Sequence, residues 1–409
     1  MGVMPSNKNR FHNKIMTPLR DVINDSRATG VLLLLCTVVS ILISNTSSSW
    51  YRNIWNSELP AAANLYLPPN LIGWVNNFLM AFFFVLAATE IKRELLTGEL
   101  SSLKKAILPF GAAFGGMLVP ALIFAFFNLH TSYSHGWGIP TATDIAFSLG
   151  AATLLGKRFP VGLKILLMAL AIIDDLGAII VIAIFYGGHI QGIFLALSAL
   201  IYLVLLLCNY FKMKFGMIHV ILGIALWFMM LQSGVEASIT GVLFAFAMPV
   251  NALGVIEKAI HKYVNFLILP LFALANTAIL IPSHFFQSLQ TSIGMGIICG
   301  LVIGKPLGIF LVSRILVALD IAHLPSNVKW KELFGMGTLA GIGFTMSIFT
   351  TMLAFGETKL QEIAKIAILT SVVASVVVSY FYFRMIAVKI VAPVIIEPLA
   401  QPEVQLNLS

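Results

Sequence analysis

Four ionisable residues lie inside long apolar stretches of this sequence. Asp174 and Asp175 are adjacent in Ala-Ile-Ile-Asp-Asp-Leu-Gly, Asp144 follows Thr-Ala-Thr, and Lys305 occurs in Ile-Gly-Lys-Pro-Leu. A charged side chain in the middle of a membrane-spanning helix costs roughly 2.5–3.5 kcal/mol on insertion scales. Their presence therefore indicates a function, and buried carboxylates beside a lysine are suited to binding protons and small cations.

Asp174 and Asp175 form the pair with the clearest chemistry. Neighbouring helix residues point about 100° apart, so the two carboxylates can line adjoining sides of one cavity. Two carboxylates in a low-dielectric site repel each other, so at least one is expected to hold a proton near physiological pH. A hard cation such as Na+ reverses that preference, and protons and cation then compete for the same oxygens. A polar contact between helices is the structural alternative, but one carboxylate would suffice for it.

Asp144 lies in a segment that is weak as a helix, because Gly136, Gly138 and Pro140 precede it. An interrupted span exposes half-helix ends whose dipoles need compensating charge. Asp144 can cap a helix N-terminus, which is the favoured interpretation, or act as a cation ligand. Thr143 offers a hydroxyl and a carbonyl oxygen to either role.

A glycine-rich stretch between residues 335 and 347 predicts a second interrupted span, because its four glycines lower helix propensity at membrane depth. Two broken spans, one in each half of the chain, are typical of inverted-repeat transporters with a binding site at the bilayer midplane. Close helix packing through glycine is the alternative for this stretch alone.

Lys305 needs a carboxylate partner at its own depth to keep its proton. Asp144, Asp174 and Asp175 are the available partners. A structural ion pair and a lysine that titrates during transport are both compatible with the sequence.

Charged residues also cluster where apolar stretches end. Glu90, Arg93 and Glu94 share one helical face at i, i+3 and i+4, and Glu257 and His261 stand at a similar boundary. Such residues can be solvated helix ends. The alternative is a network that gates access from the cytoplasm by its protonation, with His261 closest to titration at neutral pH.

The elements that carry these residues are membrane-spanning helices. The 409 residues are 59% hydrophobic and 10% charged, and about 20 apolar residues cross a bilayer. We therefore predict an all-α polytopic membrane protein, with a transmembrane domain over residues 28–385 between a cytoplasmic leader (1–27) and a cytoplasmic tail (386–409). The predicted spans lie near residues 28–44, 71–90, 106–128, 138–155, 161–186, 190–211, 217–233, 238–253, 264–281, 291–313, 333–355 and 366–385.

The net charge of +8 comes from small basic clusters at segment ends, which indicates membrane topology rather than nucleic-acid binding. An even number of spans with both termini in the cytoplasm places these clusters inside. The first span follows a basic leader without a cleavage pattern, so we expect it to be retained. Cys36, Cys208 and Cys299 each lie within an apolar run, so neither a disulfide framework nor a structural metal site is predicted, and no cofactor is expected.

Five motifs occur in an order that is similar to one known family. They are Thr-Ala-Thr-Asp144, Ile-Asp-Asp175-Leu, Gly-Lys305-Pro-Leu-Gly, Leu-Pro-Leu-Phe-Ala-Leu-Ala-Asn276 and Gly-Ile-Gly-Phe-Thr-Met-Ser347. Each is weak alone, but together, over about residues 25–384, they resemble the bacterial sodium/proton antiporters of the NhaA type. The resemblance implies an inverted-repeat fold with two broken, crossing helices. It also implies pH-regulated export of Na+ in exchange for H+. The adjacent aspartates predict that this exchange is electrogenic, and Li+ is a second candidate cation.

The resemblance also assigns roles to residues. Asp174 and Asp175 would bind the ion and the proton, while Asp144 and Lys305 would balance the dipoles of the crossed helices, with Lys305 also able to pair with Asp174. The members of a cytoplasmic pH-response cluster would be Glu90, Arg93, Glu94 and Glu257, and His261 joins them by position. Members of the family are homodimers in the bacterial inner membrane, with lipid around them and both termini cytoplasmic.

Two positions depart from the common pattern of the family. Glu236 stands where histidine is usual, and Lys258 stands where histidine is frequent, so the pH window of activity is not predicted. A sodium-coupled solute symporter and a cation channel are the alternative functions. An intramembrane aspartyl protease also needs two buried aspartates, but its Gly-x-Gly-Asp pattern is absent from the sequence and Lys305 has no part in hydrolysis.

Overall fold

The computed structural model describes residues 26–46, 49–188, 190–325 and 328–386, and these residues are predominantly helical. The predicted leader and tail lie outside the described residues, apart from the few that adjoin the first and last helices. The longer helices are α1 (Ser26–Thr46), α2 (Leu71–Thr97), α3 (Leu103–Asn128), α4 (Ile145–Leu154), α5 (Val161–Phe185), α6 (Gly192–Tyr210), α7 (Met217–Ser233), α8 (Ala237–Ala247), α9 (Val250–Asn276), α10 (Ser292–Ala318), α11 (Trp330–Ala340), α12 (Phe344–Ala354) and α13 (Thr358–Met385).

Within the described residues, eight helices are long and apolar enough to cross a membrane, namely α1, α2, α3, α5, α6, α9, α10 and α13. The pair α11 and α12, bent by 49° at its break, is a ninth candidate span, and α4, α7 and α8 are shorter apolar helices. These segments follow one another in the order of the twelve predicted spans. The prediction of an all-α polytopic membrane protein is therefore confirmed.

Two helices begin earlier than the hydropathy of the sequence predicts. The helix predicted over 264–281 begins at residue 250, directly after Pro249, which serves as its N-cap. Its first turns carry Glu257 and His261 on an amphipathic face, and polar residues lower the mean hydropathy without interrupting the helix. The last helix likewise begins at residue 358 rather than 366, because its first turns carry the polar residues that end at Lys365.

The two interrupted spans cross at their breaks. The first consists of a 3-10 segment (Ser134–Thr141) followed by α4, and the second of α11 followed by α12. Backbone and hydroxyl groups join the two directly: the Asp144 N–H donates to the Ile342 carbonyl at 2.7 Å, and the Ser148 hydroxyl donates to the Leu339 carbonyl at 3.0 Å. The second interruption, predicted from its glycines, is thereby confirmed.

Helices α3 and α10 pack at very short range through two glycines. A Cβ atom built on Gly115 would lie 2.3 Å from the Gly308 carbonyl oxygen, and one built on Gly308 would lie 2.0 Å from the Gly115 carbonyl oxygen. Only glycine permits this approach of the two backbones. On α10, this contact lies one helical turn after Lys305, beside the crossing of the two interrupted spans.

Three consecutive helices, α6 to α8, form a second packing unit. Helices α6, α7 and α8 enclose a separate apolar core with the start of α9, in which Leu205, Leu226, Met248 and Leu253 are buried. Helices α2 and α9 connect this unit to the interrupted spans, since their apolar residues also belong to the larger core. The helices that carry buried charge thus lie against a scaffold that is mostly apolar.

Candidate functional site

Asp144 is hydrogen-bonded to the first turns of both interrupted spans. Its Oδ1 accepts the Phe147 N–H of α4 at 2.9 Å. Its Oδ2 accepts the Thr345 N–H of α12 at 3.1 Å and the Thr345 hydroxyl at 2.6 Å. One buried carboxylate therefore caps the N-termini of two facing half-helices, where helix dipoles favour negative charge.

Lys305 and Asp174 form a buried ion pair next to this cap. Both side chains are 0% exposed. The Lys305 ammonium group donates to Asp174 Oδ2 and also to the Thr141 carbonyl oxygen, which ends the 3-10 segment. Lys305 follows a π-helical turn of α10 (Gly300–Gly304), and π turns are frequent at functional sites.

Thr143 completes the surroundings of Asp174. Its hydroxyl oxygen lies 2.6 Å from Asp174 Oδ2 and 2.9 Å from the carbonyl oxygen of Ala340, the last residue of α11. A hydroxyl group has one hydrogen, so it donates to one of these oxygens at a time. Thr143 thus links the carboxylate of α5 to both broken spans.

Asp175 faces the other way from Asp174 and lines a cavity of about 470 Å³. Its Oδ1 is buried and has no hydrogen-bond partner among the described residues, and the same is true of Asp174 Oδ1. The expectation that both aspartates line one cavity is therefore met only by Asp175. A rotation of about 100° per residue directs the two side chains apart. Asp174 is therefore outside the cavity lining, where Lys305 and Thr143 contact it.

The cavity extends from Asp175 to the charged cluster that the sequence singles out. Thr143, Asp144 and Thr345 lie with Asp175 on its wall, and apolar side chains of α2, α4 and α5 form most of the remainder. The cluster residues that line the cavity are Glu90, Arg93, Glu94 and His261. Glu257 contacts them through an ion pair with Arg93 that joins α9 to α2.

Several contacts at the site were not predicted from the sequence. Thr345 lies within one of the five motifs, but the motif does not indicate its contact with Asp144, although a hydroxyl residue in the first turn after a glycine break is a recognisable partner for a capping carboxylate. Lys92, the neighbour of Arg93, donates to the carbonyl oxygens of Phe246 at 2.7 Å and Met248 at 2.5 Å at the end of α8. No sequence signal pairs a lysine with carbonyl groups so far along the chain.

The two residues that depart from the family pattern lie outside the cavity lining. Glu236 accepts the Ser238 hydroxyl at 3.0 Å and the Ser238 N–H at 3.3 Å, so it caps the first turn of α8. Lys258 stands in the first half of α9, on the turn that carries Glu257. The site around Asp175 is formed without either residue.

A polytopic helical bundle with buried charges at the crossing of two interrupted spans defines a secondary ion transporter rather than an enzyme. A family model described as Na+/H+ antiporter 1 matches residues 20–383. The chain belongs to this family, and the resemblance drawn from its motifs is confirmed.

Curated relatives match the chain over most of its length. The Na+/H+ antiporter NhaA 2 of Clostridium beijerinckii is 41% identical over 394 residues, covering 93% of this chain and 98% of the relative. The Na+/H+ antiporter NhaA 2 of Flavobacterium johnsoniae is 45% identical over 355 residues, covering 85% and 87%. The Na+/H+ antiporter NhaA of Pelagibacter ubique is 43% identical over 366 residues, covering 87% and 94%.

Proposed function

We propose that this protein exports Na+ in exchange for H+ across the bacterial inner membrane, and that Asp175 is the group that binds a proton and a cation in turn. The observation that carries the proposal is the buried Oδ1 of Asp175 on the wall of the cavity, which has no hydrogen-bond partner within the described part of the chain. A buried carboxylate without a partner is stabilised by either a proton or a cation. Family membership and the names of the relatives support the same exchange.

Asp174 takes part through its ion pair with Lys305. A cation bound between the two aspartates would compete with the Lys305 ammonium group for Asp174 Oδ2, since both are positive charges at the same oxygen. Asp144 and Thr143 are candidate oxygen ligands because both lie on the same cavity wall. Hard cations such as Na+ bind to oxygen atoms of this kind.

The proposal includes regulation and assembly. Glu90, Arg93, Glu94, Glu257 and His261 would set the pH response, which is supported by the position of the cluster at the far end of the cavity from Asp175. The distribution of basic residues supports cytoplasmic termini. The resemblance to the family supports a homodimer, and Li+ is a second candidate cation.

The test is cation-induced proton flux in proteoliposomes that contain a pH-sensitive dye, titrated across pH. With wild-type protein, addition of Na+ should move protons across the membrane and so reverse the quenching of the dye's fluorescence. Asp175→Asn should abolish the response at every pH while leaving expression and melting temperature unchanged, because an amide cannot exchange a proton for a cation. Asp320→Asn is the matched control, since Asp320 is exposed in the turn that follows α10.

Two results would contradict the proposal. Wild-type-like exchange in Asp175→Asn would remove this residue from the mechanism. Sodium flux without proton movement would indicate the cation channel, and sodium flux that depends on an organic solute would indicate the symporter.

A further inference from the structure

The 3-10 segment (Ser134–Thr141) is held by side chains from three different elements. A 3-10 backbone has poorer internal hydrogen bonds than an α-helix, and at membrane depth its free carbonyl groups need partners. Three of its carbonyl oxygens accept hydrogen bonds from outside the segment. These bonds run from Tyr186 to His135, from Ser347 to Ile139 and from Lys305 to Thr141.

Tyr186, directly after α5, makes two hydrogen bonds to the segment. Its hydroxyl donates to the His135 carbonyl oxygen at 2.7 Å and accepts the Gly138 N–H at 3.0 Å. The Tyr186 side chain is buried, and the ring of the preceding Phe185 packs edge-on against Trp137 with centroids 5.1 Å apart. The end of α5 therefore fixes the first half of the segment.

Gly138 is required by this contact. A Cβ atom at this position would lie 2.7 Å from the Tyr186 hydroxyl oxygen and 3.0 Å from a ring carbon. The side chain of Tyr186 therefore fits against the segment only where position 138 has no Cβ.

The chain is tied to α5 at a second point, two residues after the segment and inside the candidate site. Asp174 accepts the Thr143 hydroxyl, and Tyr186 stands about 18 Å further along the direction of the helix. Thr141, whose carbonyl oxygen receives Lys305, lies between the two points of attachment. A shift of the first half of the segment would therefore move this carbonyl oxygen relative to the Lys305 ammonium group.

We propose that Tyr186 is a positioning residue for Na+ binding, because its hydroxyl keeps the Thr141 carbonyl oxygen in contact with Lys305. When Na+ takes Asp174, the buried ammonium group loses its carboxylate partner and needs another acceptor. The Thr141 carbonyl is that acceptor. If the Thr141 carbonyl oxygen is displaced, the Lys305 ammonium group stays paired with Asp174, and Na+ competes less well for that carboxylate. This inference rests on the proposed exchange at Asp174 and Asp175.

The test compares Tyr186→Phe with wild-type protein in proteoliposomes, with Na+ concentration varied at fixed pH. We expect the apparent KM for Na+ to rise about threefold to tenfold, the range for loss of one or two hydrogen bonds, while the maximal rate is retained. Tyr202→Phe is the matched control, because it removes a hydroxyl from α6, which packs against α7 and α8. That control should leave KM unchanged.

Gly138→Ala tests the same contact from the other side. Its methyl group displaces the Tyr186 hydroxyl, so the apparent KM for Na+ should rise, as it does in Tyr186→Phe. The double variant should show less than the product of the two separate effects, since both substitutions remove the same bonds. A merely structural role would lower the melting temperature and the maximal rate instead of changing KM.

An unchanged KM in folded Tyr186→Phe, or a fall in maximal rate at constant KM, would overturn the inference. Fully multiplicative effects of the two substitutions would also overturn it. Failure of the proposed function is distinguishable, because it would appear as exchange that survives Asp175→Asn, whatever the result for Tyr186.

Discussion

Asp174 and Asp175 are neighbours in the chain, but their surroundings differ. Asp174 is sealed against Lys305, whereas Asp175 faces the cavity. A buried ion pair contributes little net stability relative to apolar residues, but removing one partner leaves an uncompensated charge. The pair can therefore be tested by removing its members one at a time and then together.

Lys305→Ala is expected to lower the free energy of unfolding by about 3–5 kcal/mol, since it leaves Asp174 charged and buried without its partner. The measurement is the melting temperature in detergent, together with Na+-driven proton flux, which should be lost. Lys331→Ala, at an exposed position of α11, should change neither.

Adding Asp174→Asn to Lys305→Ala should recover much of the melting temperature, because the unpaired charge is gone, without restoring exchange. If the single variant melts like the wild type and transports like it, the ion pair contributes neither stability nor function. If melting is unchanged but exchange is lost, Lys305 titrates during transport rather than stabilising the fold.

The sequence reveals which residue types are buried here but not which groups they contact. A charge inside an apolar run is visible in the chain because it must be costly in lipid. The choice of Asp174 rather than Asp144 or Asp175 as the partner of Lys305 depends on how α5 and α10 are rotated against each other. The sequence does not indicate that the carbonyl oxygens of Thr141 and Ala340 belong to the site, since every residue has a carbonyl oxygen.

Two elements, α3 and α10, meet through backbone at Gly115 and Gly308, which makes their contact sensitive to a single methyl group. Gly308→Ala should destabilise the protein by about 1–3 kcal/mol or more, because the added carbon can be accommodated only if the helices separate. Gly254→Ala in α9 is the matched control, since nothing lies within 4 Å of its Cβ position. The control should be neutral or stabilising by up to about 1 kcal/mol. Equal melting temperatures for the two variants would contradict the close contact.

The ion pair between Arg93 and Glu257 connects α2 to α9 at the far end of the cavity from Asp175. Glu257→Gln is expected to shift the pH profile of exchange toward lower pH and to retain the maximal rate, because an Arg93 without its partner favours the ionised forms of the carboxylates on its own helix. Glu58→Gln, exposed in the connection between α1 and α2, should leave the profile unchanged. Inactivity of Glu257→Gln at every pH would instead place the cluster in the transport path.

At the level of elements, the sequence predicts interruptions better than helix starts. Glycines and Pro140 mark both breaks because they weaken helices locally. The start of α9 is missed because Glu257 and His261 lower the local mean hydropathy to a value typical of a loop, although the amphipathic turns that carry them are helical. Which two interruptions cross, and which helices pack together, depends on contacts between residues far apart in the chain.

At the level of the whole molecule, the cavity connects a charged cluster to a carboxylate at the crossing of the broken spans, and each transport cycle must move charge through this region. With Na+ between Asp174 and Asp175, both carboxylates are favoured in their ionised forms. For the return step without Na+, we propose that both carboxylates carry protons, because a low-dielectric midplane disfavours their charge, while Lys305 keeps its ammonium form. We therefore expect the two half-cycles to carry different net charge, with more than one proton entering for each Na+ expelled.

We predict electrogenic exchange, which an imposed membrane potential will reveal. An inside-negative potential contributes about 2.3 kcal/mol per net charge for each 100 mV, so sodium can be expelled even when the pH gradient is small or inverted. In proteoliposomes at symmetrical pH, a potassium gradient clamped with valinomycin should drive Na+ movement, and reversing the gradient should reverse the flow. Proteoliposomes with Asp175→Asn should show no movement in either direction. Sodium flux that is indifferent to the potential would show one-for-one exchange, which means that only one of the two adjacent aspartates changes its protonation in each cycle.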